Sequence, residues 1–216
     1  VAQPQPINAA MAILPRYDVD GLTCGYIRYP GNTWGYNPVA VARFNQRFGR
    51  TGRPAALDPD WLQWRRDQVT ALLRKVYVSA QAVKPRVKIS ADTITWAPGV
   101  TSDTAWVTSA RAYTDVLQDW RSWMEEGILD LNIPMNYFRQ SVAQYATDYL
   151  NWRNFVVDRQ FNRHAIIGPG IYLNSISNGI VQMRLALDPS PAGNYAQGVC
   201  GYSYAVPAND AIPDLQ

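Results

Sequence analysis

Residues 58–91, DPDWLQWRRDQVTALLRKVYVSAQAVKPRVKISA, govern how this chain is wound. Asp58-Pro59 supplies an N-cap and a proline at the first helical position, so a helix is predicted over Trp61 to Val83. Lys84-Pro85 ends it, because a residue that precedes proline avoids the helical region. Directly behind it, Arg86 to Ala91 alternates and is rich enough in β-branched residues to be a strand. Upstream, Val19 to Cys24 is a short apolar strand after the turn-like Tyr17-Asp18, and Ile7 to Arg16 reads as the tail of a helix. The two strands are separated by a long decorated connection, Tyr29 to Leu57, with Gly31, Gly35, Gly49, Gly52, Pro30, Pro38 and Pro54 around a helical piece at Val39 to Phe48.

The same alternation continues downstream. A Thr- and Trp-rich loop, Asp92 to Ser109, leads to a helix at Ala112 to Glu126, for which Gly127 is a natural C-cap. Strands are predicted at Ile128 to Met135, Ala165 to Gly168 and Gln197 to Ser203, and helices at Ser141 to Gln160 and Ser175 to Leu187. From Ala205 a tail with Pro207 and Pro213 reads as loosely held. Five strands separated by helices imply parallel pairing through right-handed crossovers, hence an α/β fold, either an open doubly wound sheet or a (β/α)8 barrel. Polar and aromatic residues stand at the carboxyl end of every strand: Tyr26, Arg28, Tyr29, Asp92, Asn136, Tyr137, Tyr172, Tyr202 and Tyr204. That spread suits a barrel mouth, whereas a dinucleotide crevice would gather them at one switch point and would need a Gly-rich loop that is missing here. A whole barrel, however, has eight strands in about 250 residues.

Composition narrows the function classes. With 216 residues, 47% of them hydrophobic, one domain with a sizeable core is expected. The net charge of +3 and the lack of a basic run give no footprint of a nucleic-acid partner, and Arg65-Arg66 and Arg74-Lys75 read as a solvated helix face. No apolar run is long enough to span a membrane. Val1 to Ile13 lacks the features of a secretory signal, which says nothing about compartment in a chain that does not begin with Met. Cys24 and Cys200, far apart in apolar surroundings, are expected to be buried free thiols. A lone histidine, His164, excludes a multi-histidine metal centre, and no cofactor motif is present, so neither metal nor cofactor is expected. The only Glu residues, Glu125 and Glu126, close a helix and read as solvated, which leaves any acid chemistry to Asp. Trp61, Trp64, Trp120, Trp123 and Trp152 lie on helices and are expected in the core. For Tyr26, Tyr137 and Tyr172 both packing and a site stay open. A ring of Tyr and Trp with Asn, Arg and a few carboxylates is the chemistry of a carbohydrate site, where flat rings stack on sugar faces and polar groups fix hydroxyls.

Five motifs then carry a family resemblance. Residues 17–30, YDVDGLTCGYIRYP, are similar to the YDVDGIHFDYIRYP segment of the bacterial family-10 glycosyl-hydrolase-like proteins. Trp64-Arg65-Arg66 with Val69-Thr70 resembles that family's WRRDNVT helix, Gln118 to Trp123 its QDWRxW helix, and Ile133 to Tyr137 its PMNY strand end. Gly168 to Ser175 and Gly201 to Ala205 resemble its last two strand ends. The resemblance, over about residues 10 to 206, implies a (β/α)8 barrel acting on glycosidic bonds, of which residues 1–206 supply the fourth through eighth strands, followed by the tail at 207–216. It further implies carbohydrate as partner, an N-terminal half or another envelope protein to complete the barrel, and an exported location.

One departure bears on mechanism. Where the family segment has FDY, this chain has Cys24-Gly25-Tyr26, so the strand-end Asp is Gly25. Glycoside hydrolysis ordinarily uses two carboxyl groups, one protonating the leaving oxygen and the other attacking or activating water. Asp92 is the best-placed replacement; Asp103 is expected to reach back from the same loop, and Asp20 to cap or pair on the far face. Two readings follow: a glycosidase with Asp92 as acid and Tyr26, Arg28, Asn136, Tyr137, Tyr172 and Tyr202 positioning the sugar, or a silent barrel that binds glycan, with Gly25 marking the lost activity. Arg28 either forks onto an acidic sugar or forms an ion pair that holds the mouth.

Overall fold

The computed structural model describes residues 4–209. Five strands, β1 (Gly21–Cys24), β2 (Lys88–Ile94), β3 (Leu131–Asn136), β4 (His164–Pro169) and β5 (Gly198–Val199), form one sheet in chain order. Every pairing is parallel. Eight α-helices are described: α1 (Pro4–Ile13), α2 (Pro38–Phe48), α3 (Pro59–Val83), α4 (Asp103–Ser109), α5 (Arg111–Thr114), α6 (Trp120–Glu126), α7 (Ala143–Val157) and α8 (Ile176–Leu187). This is an α/β fold compatible with part of a (β/α)8 barrel. The strand order never reverses, as a doubly wound sheet requires.

The punctuation around α3 works as the sequence predicts. The Asp58 carboxylate accepts from the amides of Asp60 and Trp61, Pro59 opens the helix, and the helix closes at Lys84. Its buried stripe, Trp61, Trp64, Val69, Leu73, Val76 and Ala80, lies against the rest of the fold. Gly127 caps α6 in the left-handed region at φ 80°, where a Cβ would meet the Arg163 guanidinium at 2.7 Å. The main core joins the strands to an aromatic cluster in which Trp106 lies 4.5 Å from Trp120 and stacks on Phe155 at 5.8 Å. A second, smaller core stacks Trp61 on Trp64 over Phe44. All five tryptophans expected in the core are buried, and Trp106 on α4 joins them.

Four expectations are corrected. Arg65 and Arg66 are buried, not solvated. The long connection before α3 presents carbonyls with no ladder partner, and Arg65 donates to those of Asn32, Trp34 and Ala56 as well as to Trp61 in its own helix. Arg66 donates to the Tyr113 carbonyl and lies over the Tyr113 ring. The segment after Ala91 is not all loop: β2 runs on to Ile94, and α4 forms behind the Ser102 cap. The single helix expected over residues 112–126 is two, α5 and α6, broken where Leu117 takes φ 57° and Gln118 turns into the interior. Cys200 is exposed and Cys24 only half-buried.

Sequential right-handed crossovers place all connecting helices on one face of the sheet. Paired residues in a parallel ladder share a face, so Thr23 and Ser90 lie together, as do Asp92 and Ile133, on the face opposite Ile89 and Ala91 of the core. Leu131 and Ile133 on that inner face stay partly exposed. At the last described residue the Asn209 amide donates to the Asn174 carbonyl at 2.8 Å; residues 210–216, part of the expected loose tail, lie outside the described residues. Among the described residues no helix is long and apolar enough to cross a membrane.

Candidate functional site at the strand carboxyl ends

Asp92 projects from the inner face of β2, half-buried, and burial raises its carboxyl above the ordinary carboxylate range with no cation opposing the shift. Its neighbour, just past the end of β1, is Gly25, where a Cβ would stand 3.5 Å from Asp92 Oδ2. Position 25 therefore faces Asp92 directly, and an Asp there would set a second carboxyl group beside it. Gln118 fixes the two strand ends relative to each other. Fully buried, it accepts from the Ile94 amide at 2.8 Å and donates to the carbonyls of Asp92 (3.2 Å) and Ile27 (3.3 Å).

An aromatic wall closes the other side. Tyr137 stacks on Tyr202 at 5.3 Å between ring centres, and Tyr172 meets both edge-on at 5.8 and 5.9 Å. These rings come from the ends of β3, β4 and β5, the last anchored by a parallel bridge between Gly170 and Tyr202. Gly170 is required there, since a Cβ would lie 3.0 Å from that of Tyr137. Burial, with Tyr202 and Asp92 nearby, pushes the Tyr137 phenol well above its usual range, so it remains a neutral hydrogen-bond donor at physiological pH. Buried Asn174 braces the wall: its amide donates to the carbonyls of Phe138 and Gly170, and its oxygen accepts from the Gln140 amide.

Beside Tyr137 opens a cavity of about 420 Å³ lined by Trp96, Arg111, Met135, Tyr137, Arg139 and Tyr145, among others. Arg28 connects β1 to its rim, its guanidinium 4.0 Å over the Tyr26 ring and 5.5 Å from that of Trp96. Among the described residues Arg28 forms no ion pair; the two rings and the Tyr29 carbonyl, 3.3 Å from Nη1, hold its guanidinium, and its buried Nε has no partner.

The structure thus brings together Asp92, Gly25, Tyr137, Tyr172 and Tyr202, with Tyr26 and Arg28 at the edge. Asn136 does not join them. Strand alternation turns it to the helix side, where its amide donates to the Tyr149 carbonyl and only its neighbour Tyr137 faces the hollow. Asp103 is also elsewhere: Arg121 and Arg159 grip its carboxylate on the outer surface and hold it below the usual range. Asp20 sits at the start of β1, at the opposite end of the sheet. Gln118 and Asn174 support the site from inside the motifs at 118–123 and 168–175, where nothing local in the sequence marks an amide as a strand-end brace. Among the described residues no three His, Cys, Asp or Glu side chains converge to hold a metal ion.

Comparison with known proteins agrees with the motifs. The glycosyl hydrolase-like 10 family profile matches residues 5–184. The chain is 29% identical over 165 residues to a Bacillus subtilis protein named glycosyl hydrolase YngK, covering 74% of this chain and 31% of that one. It is 28% identical over 140 residues to the Escherichia coli protein named glycosyl hydrolase DigH, covering 62% of this chain and 29% of that one. The match therefore spans less than a third of either relative's length.

Proposed function

Because the chain belongs to the glycosyl hydrolase-like 10 family, we propose that it binds oligosaccharide in the hollow between Asp92 and the Tyr137, Tyr172 and Tyr202 rings. The convergence of those rings with Asp92 on one inner surface is the observation that carries the reading. Aromatic faces stack on the apolar faces of pyranose rings, and a neutral Tyr137 hydroxyl donates to a sugar oxygen. The five strands serve as the fourth to eighth of a barrel whose remaining strands cover the partly exposed inner face. The ligand is an envelope or extracellular glycan handled by an exported protein.

Turnover is a second reading, favoured by the raised Asp92 carboxyl. A carboxyl whose protonated form is favoured by burial is better suited than an ordinary carboxylate to protonate a glycosidic oxygen as the bond to the anomeric carbon breaks. The partner carboxyl, absent at Gly25, then comes from outside the described strands.

Titration of cell-wall and exopolysaccharide fragments into the protein, followed by calorimetry, tests the binding reading. Saturable heats that vanish in Tyr137→Ala are expected, and unchanged heats in that variant would overturn it. Product analysis with wild type and Asp92→Asn tests turnover: the enzymatic reading requires hydrolysis by the first and none by the second.

A further inference from the structure

We propose that the cavity beside Tyr137 is a subsite for an anionic saccharide, with Arg111 and Arg139 as the residues that select its charge. The proposal rests on the glycan reading and deepens it. The cavity wall is donor-rich in a way that a neutral sugar does not call for. A neutral pyranose offers hydroxyls that both donate and accept, and sites for it supply carboxylates or carboxamides to take the hydroxyl protons. Among the residues lining this cavity there is no Asp, Glu, Asn or Gln; the charged side chains are Arg111 and Arg139 alone.

The two guanidiniums differ in how they are held. Arg139 has no carboxylate partner among the described residues and reaches only the Leu173 carbonyl, at a long 3.4 Å. Arg111 pairs with Asp115 through Nε at 2.8 Å and lies 4.9 Å from the Trp96 ring, an arrangement that sets its plane and leaves its terminal nitrogens to the ligand. Trp96 also receives Arg28 at 5.5 Å, which adds a third positive charge at the rim. Trp96, Tyr137 and Tyr145 supply flat surface for a sugar ring, and about 420 Å³ accommodates one or two residues. Because Tyr137 belongs both to this cavity and to the wall facing Asp92, a saccharide seated here continues toward that carboxyl.

The test measures affinity by calorimetry for three oligosaccharides of equal length: a hexuronate, a sulfated one and a neutral one. Wild type is expected to prefer the hexuronate over the neutral compound by at least about tenfold, as two charge-assisted contacts imply. Arg139→Gln and Arg111→Gln should each cut the ratio of hexuronate to neutral affinity severalfold, with the thermal midpoint little changed because both side chains lie at the surface. Added salt should weaken only the anionic ligands. Equal binding of hexuronate and sulfated ligand identifies charge as the feature read, and a hexuronate preference identifies the planar carboxylate; either supports the proposal. Equal affinity for neutral and anionic ligands, or glutamine variants that bind hexuronate like wild type, would overturn it and leave the glycan reading standing. Absence of binding to all three would end both.

Discussion

Gly25→Asp is the most informative substitution the geometry offers. The backbone at position 25 is not in the left-handed region, and the only atom near an added Cβ is Asp92 Oδ2, at 3.5 Å, an ordinary contact. A second carboxyl is thus tolerated sterically and meets Asp92 electrostatically. With side-chain oxygens about 5 Å apart, two carboxylates at an effective dielectric of 20 repel by roughly 3 kcal/mol, and screening at this half-buried site reduces that to roughly half. The variant should therefore titrate as a coupled pair whose upper midpoint lies about one pH unit or more above that of Asp92 alone. The sign for stability follows. A carboxyl whose folded pKa lies above its unfolded value keeps its proton longer in the native state, so stability falls as pH rises from the unfolded value through the folded one. The burial-raised Asp92 already imposes this slope, and Gly25→Asp should steepen it and extend it to higher pH. Carbon-detected NMR titration of the Asp carboxyls, with denaturant unfolding at several pH values, reads both quantities. An Asp92 midpoint that does not move would refute the placement of residue 25 on the inner face beside it. If hydrolysis of glycan fragments appears in this variant and not in wild type, the native chain is a binder.

Gln118→Leu should lower unfolding free energy by about 2–5 kcal/mol in denaturant titration, because the Ile94 amide and two carbonyls lose a buried partner at once. A loss under about 1 kcal/mol would mean that the strand ends do not depend on it. Thiol labelling at pH 8 should modify exposed Cys200 first; half-buried Cys24, whose thiol burial and nearby Asp92 push up to about 11, should react markedly more slowly. Comparable rates at the two cysteines would contradict the raised Cys24 thiol. Asp92→Asn should remove the part of the fall in stability with rising pH that the raised Asp92 carboxyl contributes; an unchanged profile would show that the carboxyl is not raised in the folded state.

The helical framework was legible because its signals are local. Asp58-Pro59 and Lys84-Pro85 bracket α3 by cap and backbone chemistry that needs no knowledge of the rest of the chain. The errors fall where a distant partner overrides the local pattern. Residues 112–126 carry a helical period, yet Gln118 satisfies groups on β2 and on the loop that follows β1, and the helix yields at Leu117 to let it do so. Arg65 and Arg66 look like any basic pair on a solvated helix until the carbonyls of Asn32, Trp34 and Ala56 arrive from the preceding connection. No window of sequence around α3 contains that information.

Within the site, legibility follows strand parity. A motif such as Pro134-Met135-Asn136-Tyr137 names two polar residues without saying which faces the hollow, and a one-residue error exchanges them. The ladder resolves it: Met135 pairs with Gly168 and Ile94, so Met135 and Tyr137 share the inner side and Asn136 the helix side, where Tyr149 takes its amide. The same parity places Asp92 with Ile133 and toward Gly25, not with the helix-packed Ala91. Aromatic chemistry alone does not tell wall from packing, since Tyr149 is as buried as any core residue while Tyr137 lines a cavity. What separates them is the face of the sheet on which each lies. The functional content of this chain therefore depends on register more than on composition, and a one-residue slip of β3 would keep every motif intact while turning the aromatic wall into the core.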